Sequence, residues 1–307
     1  MAARKTMAGQ EYTPAPPADF VLAFDLPQLG LRGRVVRMDA VSARALAAHA
    51  LPEPAARILS ETLVLSTLLG SALKLDGRLT VQTKSDGPLN LVTVDYYGAE
   101  DDRSAGVRGF ARLNETEFPK APSFVELTGS GVLAITIEPK REGQTYQGIV
   151  SLSADGIAAS AETYFVQSEQ LPTAIRLAAA PAYVPGRSEP QWRVGGIMLQ
   201  ATPEAARVDD DWERLSMILS TVDAFELLDT SLSAETLLWR PFNEDEVRVH
   251  PAETLIFRCD CDGGRIASVL RSYSAKDREG LADSDGIIRA KCEFCGAVHE
   301  IGADALR

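Results

Sequence analysis

The chain has 307 residues, of which 45% are apolar and 24% charged, and its formal net charge is −12. That length allows a large buried core and a second unit. The acidity argues against nucleic acid, whose affinity comes largely from Lys and Arg neutralising phosphates. No apolar run approaches the roughly 18 residues of a membrane span.

Residues 1–18 are rich in Pro, Ala and polar groups and are expected to form a flexible extension. They carry no apolar stretch of the secretory kind, so a cytoplasmic location is expected, with cysteines reduced or metal-bound. From Phe20 the body begins. The pattern predicts a helix over Val41–Ala50 and a stronger one over Glu53–Lys74, with Pro54 in the first turn, where proline is tolerated. Ile58, Leu59, Leu63, Leu65, Leu68, Leu69 and Leu73 make the second helix apolar on most sides, hence central and buried. Beyond Gly77 the period becomes two. Leu79, Val81 and Thr83 alternate, Ser85-Asp86-Gly87-Pro88 supplies a turn, and Leu91–Tyr97 returns.

Further strands are predicted over Val107–Leu113, Gly131–Ile137, Tyr146–Ser153, Ile175–Ala180 and Val194–Gln200, with a polar loop around Arg141-Glu142-Gly143. A helix is predicted over Ala158–Gln170, ending at Leu171-Pro172. Within the last strand, Gly195-Gly196 reads as a tight turn or bulge. Helices and hairpins come in blocks without βα alternation, which gives an α+β class: a mixed α/β core over residues 19–205. A helical linker follows over 206–250. There Asp209-Asp210-Asp211 offers a cap, and Trp212, Leu215, Leu219, Val222 and Phe225 recur at spacings of three and four. A second helical piece is predicted over Ala234–Arg240. Residues 251–307 form a third unit.

All four cysteines lie in that unit, as Cys259-Asp-Cys261 and Cys292-Glu-Phe-Cys295. Two close thiol pairs can supply the tetrahedral corners that Zn²⁺ prefers in closed sites, or can form two short disulfides. A unit this small draws little stability from its own core, whereas structural zinc contributes about 10–16 kcal/mol in small zinc-dependent peptides. Oxidation of the ligands would remove that contribution at once. Asp260, Asp262 and Glu293 would raise the pKa of neighbouring free thiols, an effect that bound zinc outweighs. Four thiolates fill a tetrahedron, so His299 is not expected as a ligand. No catalytic constellation such as GxSxG, HExxH or a P-loop is present, and an enzyme is not expected. Two rival readings are a thiol-disulfide oxidoreductase acting through Cys292 and Cys295, and a zinc-ribbon binding module.

With these residues the chain resembles the 33 kDa chaperonin family, the redox-regulated bacterial heat-shock holdases. The resemblance covers Phe20 to about Ile301. Beside the C-x-C and C-x-x-C pairs, it rests on Leu31-Arg-Gly-Arg-Val35, Leu73-Lys-Leu-Asp-Gly-Arg-Leu79, Asp86-Gly-Pro88, Val107-Arg-Gly-Phe-Ala-Arg112, Tyr164-Phe-Val-Gln-Ser-Glu-Gln170 and Val194-Gly-Gly-Ile-Met-Leu-Gln200. It implies a small zinc-binding C-terminal domain with one Zn²⁺ held by Cys259, Cys261, Cys292 and Cys295 in the reduced, inactive form. Oxidation would then form the Cys259–Cys261 and Cys292–Cys295 disulfides and release the metal. It further implies that the linker loosens, that Trp212, Leu215, Leu219, Val222 and Phe225 become client-binding surface, and that unfolding proteins are held without ATP. Activated subunits are implied to form homodimers. Asp260 stands where the family more often has a small polar residue, and Pro241-Phe-Asn-Glu244 where Leu or Tyr and then His are commoner.

Overall fold

The computed structural model describes residues 18–73, 75–114, 121–140, 143–183, 190–203 and 209–302. The expected extension up to residue 17, Lys74, Arg141 and Glu142, and the core–linker boundary at 205–206 lie outside the described residues.

Two antiparallel strands open the core, β1 (Phe20–Leu26) and β2 (Leu31–Met38), followed by helices α1 (Ala40–Leu46) and α2 (Glu53–Ala72). Then come β3 (Gly77–Ser85), β4 (Leu89–Tyr97), β5 (Gly106–Leu113), the short α3 (Phe124–Thr128), β6 (Gly131–Pro139) and β7 (Tyr146–Ser151). Helix α4 (Ile157–Tyr164) runs into a π-helical turn, Phe165–Glu169, before β8 (Thr173–Ala182) and β9 (Gln191–Ala201). The elements predicted from periodicity are present with boundaries shifted by a few residues. The first strand pair and α3 carried no sequence prediction.

Strands β3 to β7 form one sheet in the order β5-β4-β3-β6-β7, and β1, β2, β9 and β8 form another in the order β1-β2-β9-β8. Helix α2 lies between the sheets and buries Leu59, Leu63, Val64, Leu65 and Leu68 completely. Three of its buried hydroxyls bond back along the helix, Thr62 to the Ile58 carbonyl at 2.7 Å, Ser66 to that of Thr62 at 2.7 Å and Thr67 to that of Leu63 at 2.9 Å, which lets these polar residues sit in an apolar core. Gly70 is required: a Cβ there would lie 2.1 Å from the Tyr96 ring.

The β1-β2-β9-β8 sheet is apolar on both faces. Along β1, Val21 packs toward α2, whereas Phe20, Leu22, Phe24 and Leu26 face away from it. That outer face is covered by the linker: α5 (Asp209–Ser220), α6 (Ala224–Leu228) and α7 (Ala234–Trp239), with Phe242 seated 6.0 Å from Phe24, ring centre to ring centre. Gly195-Gly196 is not a turn or bulge. Both lie inside β9 in regular register with β2 and β8. A Cβ at Gly195 would lie 2.6 Å from the Leu227 carbonyl of the linker, and one at Gly196 2.6 Å from Val64 of α2. The pair admits close packing on both faces of the sheet.

From the linker the chain returns to the core edges. Short strands β10 (Arg248–Val249) and β11 (Glu253–Thr254) pair antiparallel with β1, and β12 (Ile256–Phe257) pairs parallel with β5. Residues 251–258, which the division at 251 gives to the tail, are thus hydrogen-bonded into both core sheets. Beyond them come α8 (Gly263–Arg271), α9 (Ala275–Leu281) and the hairpin β13 (Ile287–Lys291) and β14 (Val298–Gly302); α8 and the hairpin share a buried cluster of Ala267, Leu270, Ile288 and Ile301, to which α9 adds no buried residue.

Candidate metal centre

The C-x-C pair follows β12 directly, and the C-x-x-C pair turns between β13 and β14. In that turn the Cys292 amide donates to the Ala297 carbonyl at 2.8 Å, and the Gly296 amide to the Cys292 carbonyl at 2.9 Å. Gly296 has φ +74°, in the left-handed region that favours glycine. The turn thereby presents both of its sulfurs toward the C-x-C pair.

All four Sγ atoms lie within 4.8 Å of one another. Cys259 and Cys292 are 3.7 Å apart, and Cys261 and Cys295 are 3.4 Å apart. Sulfurs bound at about 2.3 Å to a tetrahedral metal lie about 3.8 Å from each other. The observed edges fit that figure and are too long for disulfides, whose sulfurs are about 2.05 Å apart. The donor set therefore fits one soft tetrahedral cation. His299 stands outside the four, with Nε2 3.3 Å from Cys261 Sγ, where it can serve as a hydrogen-bond partner to a ligand.

Without a cation the thiols share their protons unevenly. Burial, reinforced by sulfur neighbours, pushes the Cys261 thiol strongly up, and burial raises Cys259 as well. At Cys295 burial is outweighed by the Ala297 amide and the other thiols, and its pKa is lowered. The acidic neighbours are not the cause. Asp260 pairs with Arg103 at 2.8 Å and Arg258 at 3.4 Å, and Glu293 with Arg112 at 2.9 Å. Asp262 instead caps α8 through the Gly264 amide at 2.9 Å, and hydrogen bonding to Arg103 holds the Asp260 carboxyl below its ordinary range.

Those contacts make the residues between the cysteines a docking surface. Phe294 packs edge-on against Phe110 of β5 at 5.0 Å, and the Arg108 guanidinium lies over its ring at 4.0 Å. Arg108 also reaches Cys259 Sγ at 3.9 Å and is anchored by the buried Asp95 at 2.8 Å. Arg258, itself buried, bonds Glu100 at 2.9 Å and lies over the Tyr97 ring. Sequence reasoning missed Arg108, Phe110 and Arg258, since nothing local in β5 marks it as the seat of a distant tail.

In the linker, Leu215, Leu219 and Val222 are buried against the sheet and Trp212 is half-buried beside them. Phe225 departs from the expectation of sequestration: it is 85% exposed. Helix α5 ends at Ser220, and a new capping box between Asp223 and Glu226 restarts the helix, which breaks the spacing and turns Phe225 outward. The clamp that the sequence does not mark is Arg37 of β2. It is 8% exposed and donates to the carbonyls of Glu226 and Leu227, both at 3.1 Å, and to that of Leu232. The first two are free carbonyls in the last turn of α6, where a cation is favoured, and Leu232 lies in the loop before α7.

A four-thiol centre docked on an α+β core, with a helical linker across one sheet, defines the class of protein. The family model described as "Hsp33 protein" matches residues 19–302. A 33 kDa chaperonin of Caulobacter vibrioides is 38% identical over 292 residues, covering 92% of this chain and 94% of that protein. A 33 kDa chaperonin of Escherichia coli is 35% identical over 266 residues, covering 87% of this chain and 86% of that one. The crystal structure of the 33 kDa chaperonin (heat shock protein 33 homolog) of Thermotoga maritima shares the fold, with a TM-score of 0.77 at 21% identity, covering 94% of this chain and 96% of that chain. The chain belongs to the Hsp33 family of chaperones.

Proposed function

We propose that this chaperone is a redox-regulated, ATP-independent holdase, inactive while Cys259, Cys261, Cys292 and Cys295 bind one Zn²⁺. The observation that carries the reading is the set of sulfur–sulfur separations of 3.4–3.7 Å in a tail with only a small apolar cluster of its own. When bound, the metal holds the four sulfurs as thiolates and ties both halves of the tail together.

Oxidation would join Cys259 to Cys261 and Cys292 to Cys295. Each new S–S bond gives up two electrons to an oxidant such as hypochlorous acid, which is reduced to chloride and water. The sulfurs then have no charge to offer the metal. Phe294, Glu293 and Asp260 lose their fixed positions, and with them the contacts to Phe110, Arg108, Arg112 and Arg103. The loss passes through residues 248–258 to the linker, whose release uncovers Phe24, Leu26, Leu199 and its own Leu215 and Leu219. Such a surface suits unfolding proteins. Homodimers in the activated state and a cytoplasmic location complete the proposal. The oxidoreductase alternative is weaker: Cys292 and Cys295 sit in a hairpin turn rather than at the start of a helix in a βαβ unit.

The test is suppression of aggregation of an unfolding protein before and after oxidant, with zinc release followed in parallel. Suppression only after release is expected. Full activity in the reduced, zinc-loaded chain, or none after zinc loss, would defeat the reading.

A further inference from the structure

We propose that the cavity of about 450 Å³ where the two core sheets meet is a binding subsite for an extended, uncharged apolar peptide segment. The inference deepens the holdase reading, on which the identity of the ligand rests, by naming what the core itself takes from a client.

Leu69 of α2, Leu79, Ile135 and Ile137 of one sheet and Met198 of the other give the cavity an apolar floor. Its size lies within the range of ligand sites, about 300–1,000 Å³. The polar groups at its edge are of two opposite kinds, and each is held by neighbours. Arg32 places its Nε and one terminal nitrogen on the Gln200 side-chain oxygen at 3.2 and 2.7 Å, and Gln200 in turn donates to Thr173 at 3.0 Å. Among the described residues no carboxylate pairs with Arg32. Glu169 accepts from the Tyr164 phenol at 2.7 Å and the Tyr146 phenol at 3.1 Å, both on one oxygen, and among the described residues no donor reaches its second oxygen. Tyr146, 44% exposed, marks the mouth.

Glu169 takes this position through an uncommon backbone. The helix widens into a π-turn over Phe165–Glu169, and Gln170 closes it with φ 55°, in the left-handed region. Both features carry a cost and recur at functional sites. The rim therefore offers a fixed donor and a fixed acceptor above an apolar floor. An alkyl acid would answer Arg32 and be repelled by Glu169; an alkyl amine would do the reverse. A peptide backbone supplies a carbonyl for Arg32 and an amide for Glu169 without net charge, and its side chains fill the floor. One such cavity binds weakly. Holding a client then requires the further area that the released linker and sheet provide, with the two contacts acting together.

The test titrates a fluorescently labelled, end-capped peptide of alternating leucine and serine against the full-length, reduced, metal-loaded chain. Saturable one-to-one binding is expected, weakened about tenfold or more by Ala72→Trp, which fills the cavity, and several-fold by Glu169→Gln at its rim. Val269→Ser, which removes an exposed apolar side chain on α8, should leave binding unchanged. If Ala72→Trp does not fold, Glu169→Gln decides. Absence of saturable binding, affinity in the cavity and rim variants equal to that of the unaltered chain, loss of binding in Val269→Ser, or binding of decanoate but not peptide would each overturn the proposal. Aggregation suppression by the oxidised chain is a separate readout: peptide binding without suppression would defeat the holdase reading and leave the subsite standing.

Discussion

The core and the tail meet the same requirement, burial of apolar surface, with unequal means. In the core, a twenty-residue helix is enclosed by two sheets, and most of its side chains are out of contact with water. In the tail, four buried residues join one helix to a hairpin, and the second helix buries none. Much of what else fixes it is exposed: Arg289 alone gathers Asp283, Asp285 and Glu300, and surface pairs of this kind contribute little. A region so built can be made to depend on a single bound ion, whereas the core cannot. The difference places the vulnerable part of the molecule where the cysteines are and leaves the core framework intact.

Chelation is the most forceful way to break this comparison. Stripping the metal should remove on the order of 10 kcal/mol from the tail, so amide exchange over residues 259–302 should rise to unprotected rates while α2 keeps its protection. Leu65→Ala is the converse. It opens a cavity beside a fully buried side chain and should lower core stability by about 2–5 kcal/mol, read by denaturant unfolding, with zinc affinity unchanged.

Arg37→Met sharpens the boundary between the two regions. It leaves the Glu226, Leu227 and Leu232 carbonyls without their donor and should destabilise linker docking by about 2–3 kcal/mol. Faster exchange in α5–α7 and measurable client suppression in the reduced, metal-loaded chain are expected. Glu61 gives the smallest effect and a distinct pH signature. Burial raises its carboxyl from 4.5 to about 7, against the opposing pull of Arg57. Between those values the folded chain holds a proton that the unfolded chain has released, so stability falls as pH rises through this window. Glu61→Gln should flatten that fall, adding up to about 2 kcal/mol at pH 8 after discounting for partial solvent contact and almost nothing at pH 4.

How much of this was legible depended on the range of the signal. Helix α2 was plain because Leu59, Leu63 and Leu68 recur within one element, and β3 because Leu79, Val81 and Thr83 alternate. The thiol centre was plain because few arrangements of two close cysteine pairs serve any other end. What escaped were features made by residues far apart in the chain. Arg37 meets its partners 189 to 195 residues away, and Gly195 is small because Leu227 passes over it. Phe225 fitted the spacing of the linker stripe, but the stripe assumed one continuous helix, and the cap at Asp223 interrupts it. In the tail, α9 has too few apolar positions for a period to show, and α8 carries Ile266, Ala267, Val269 and Leu270 over little more than two turns.

Strand β1 has a partner on each side only because residues 248–254 lie along its outer edge, with Phe24 opposite Val249, Phe20 opposite Thr254, and the His250 amide on the Ala23 carbonyl. That short ribbon is a cover over main-chain amides and carbonyls that would otherwise seek hydrogen bonds. Were it to peel away with the linker, the newly bare margin would accept any extended chain of suitable reach, be it a misfolding guest or a sister subunit. Capture along that margin would be indifferent to side-chain identity, because main-chain groups alone would carry it.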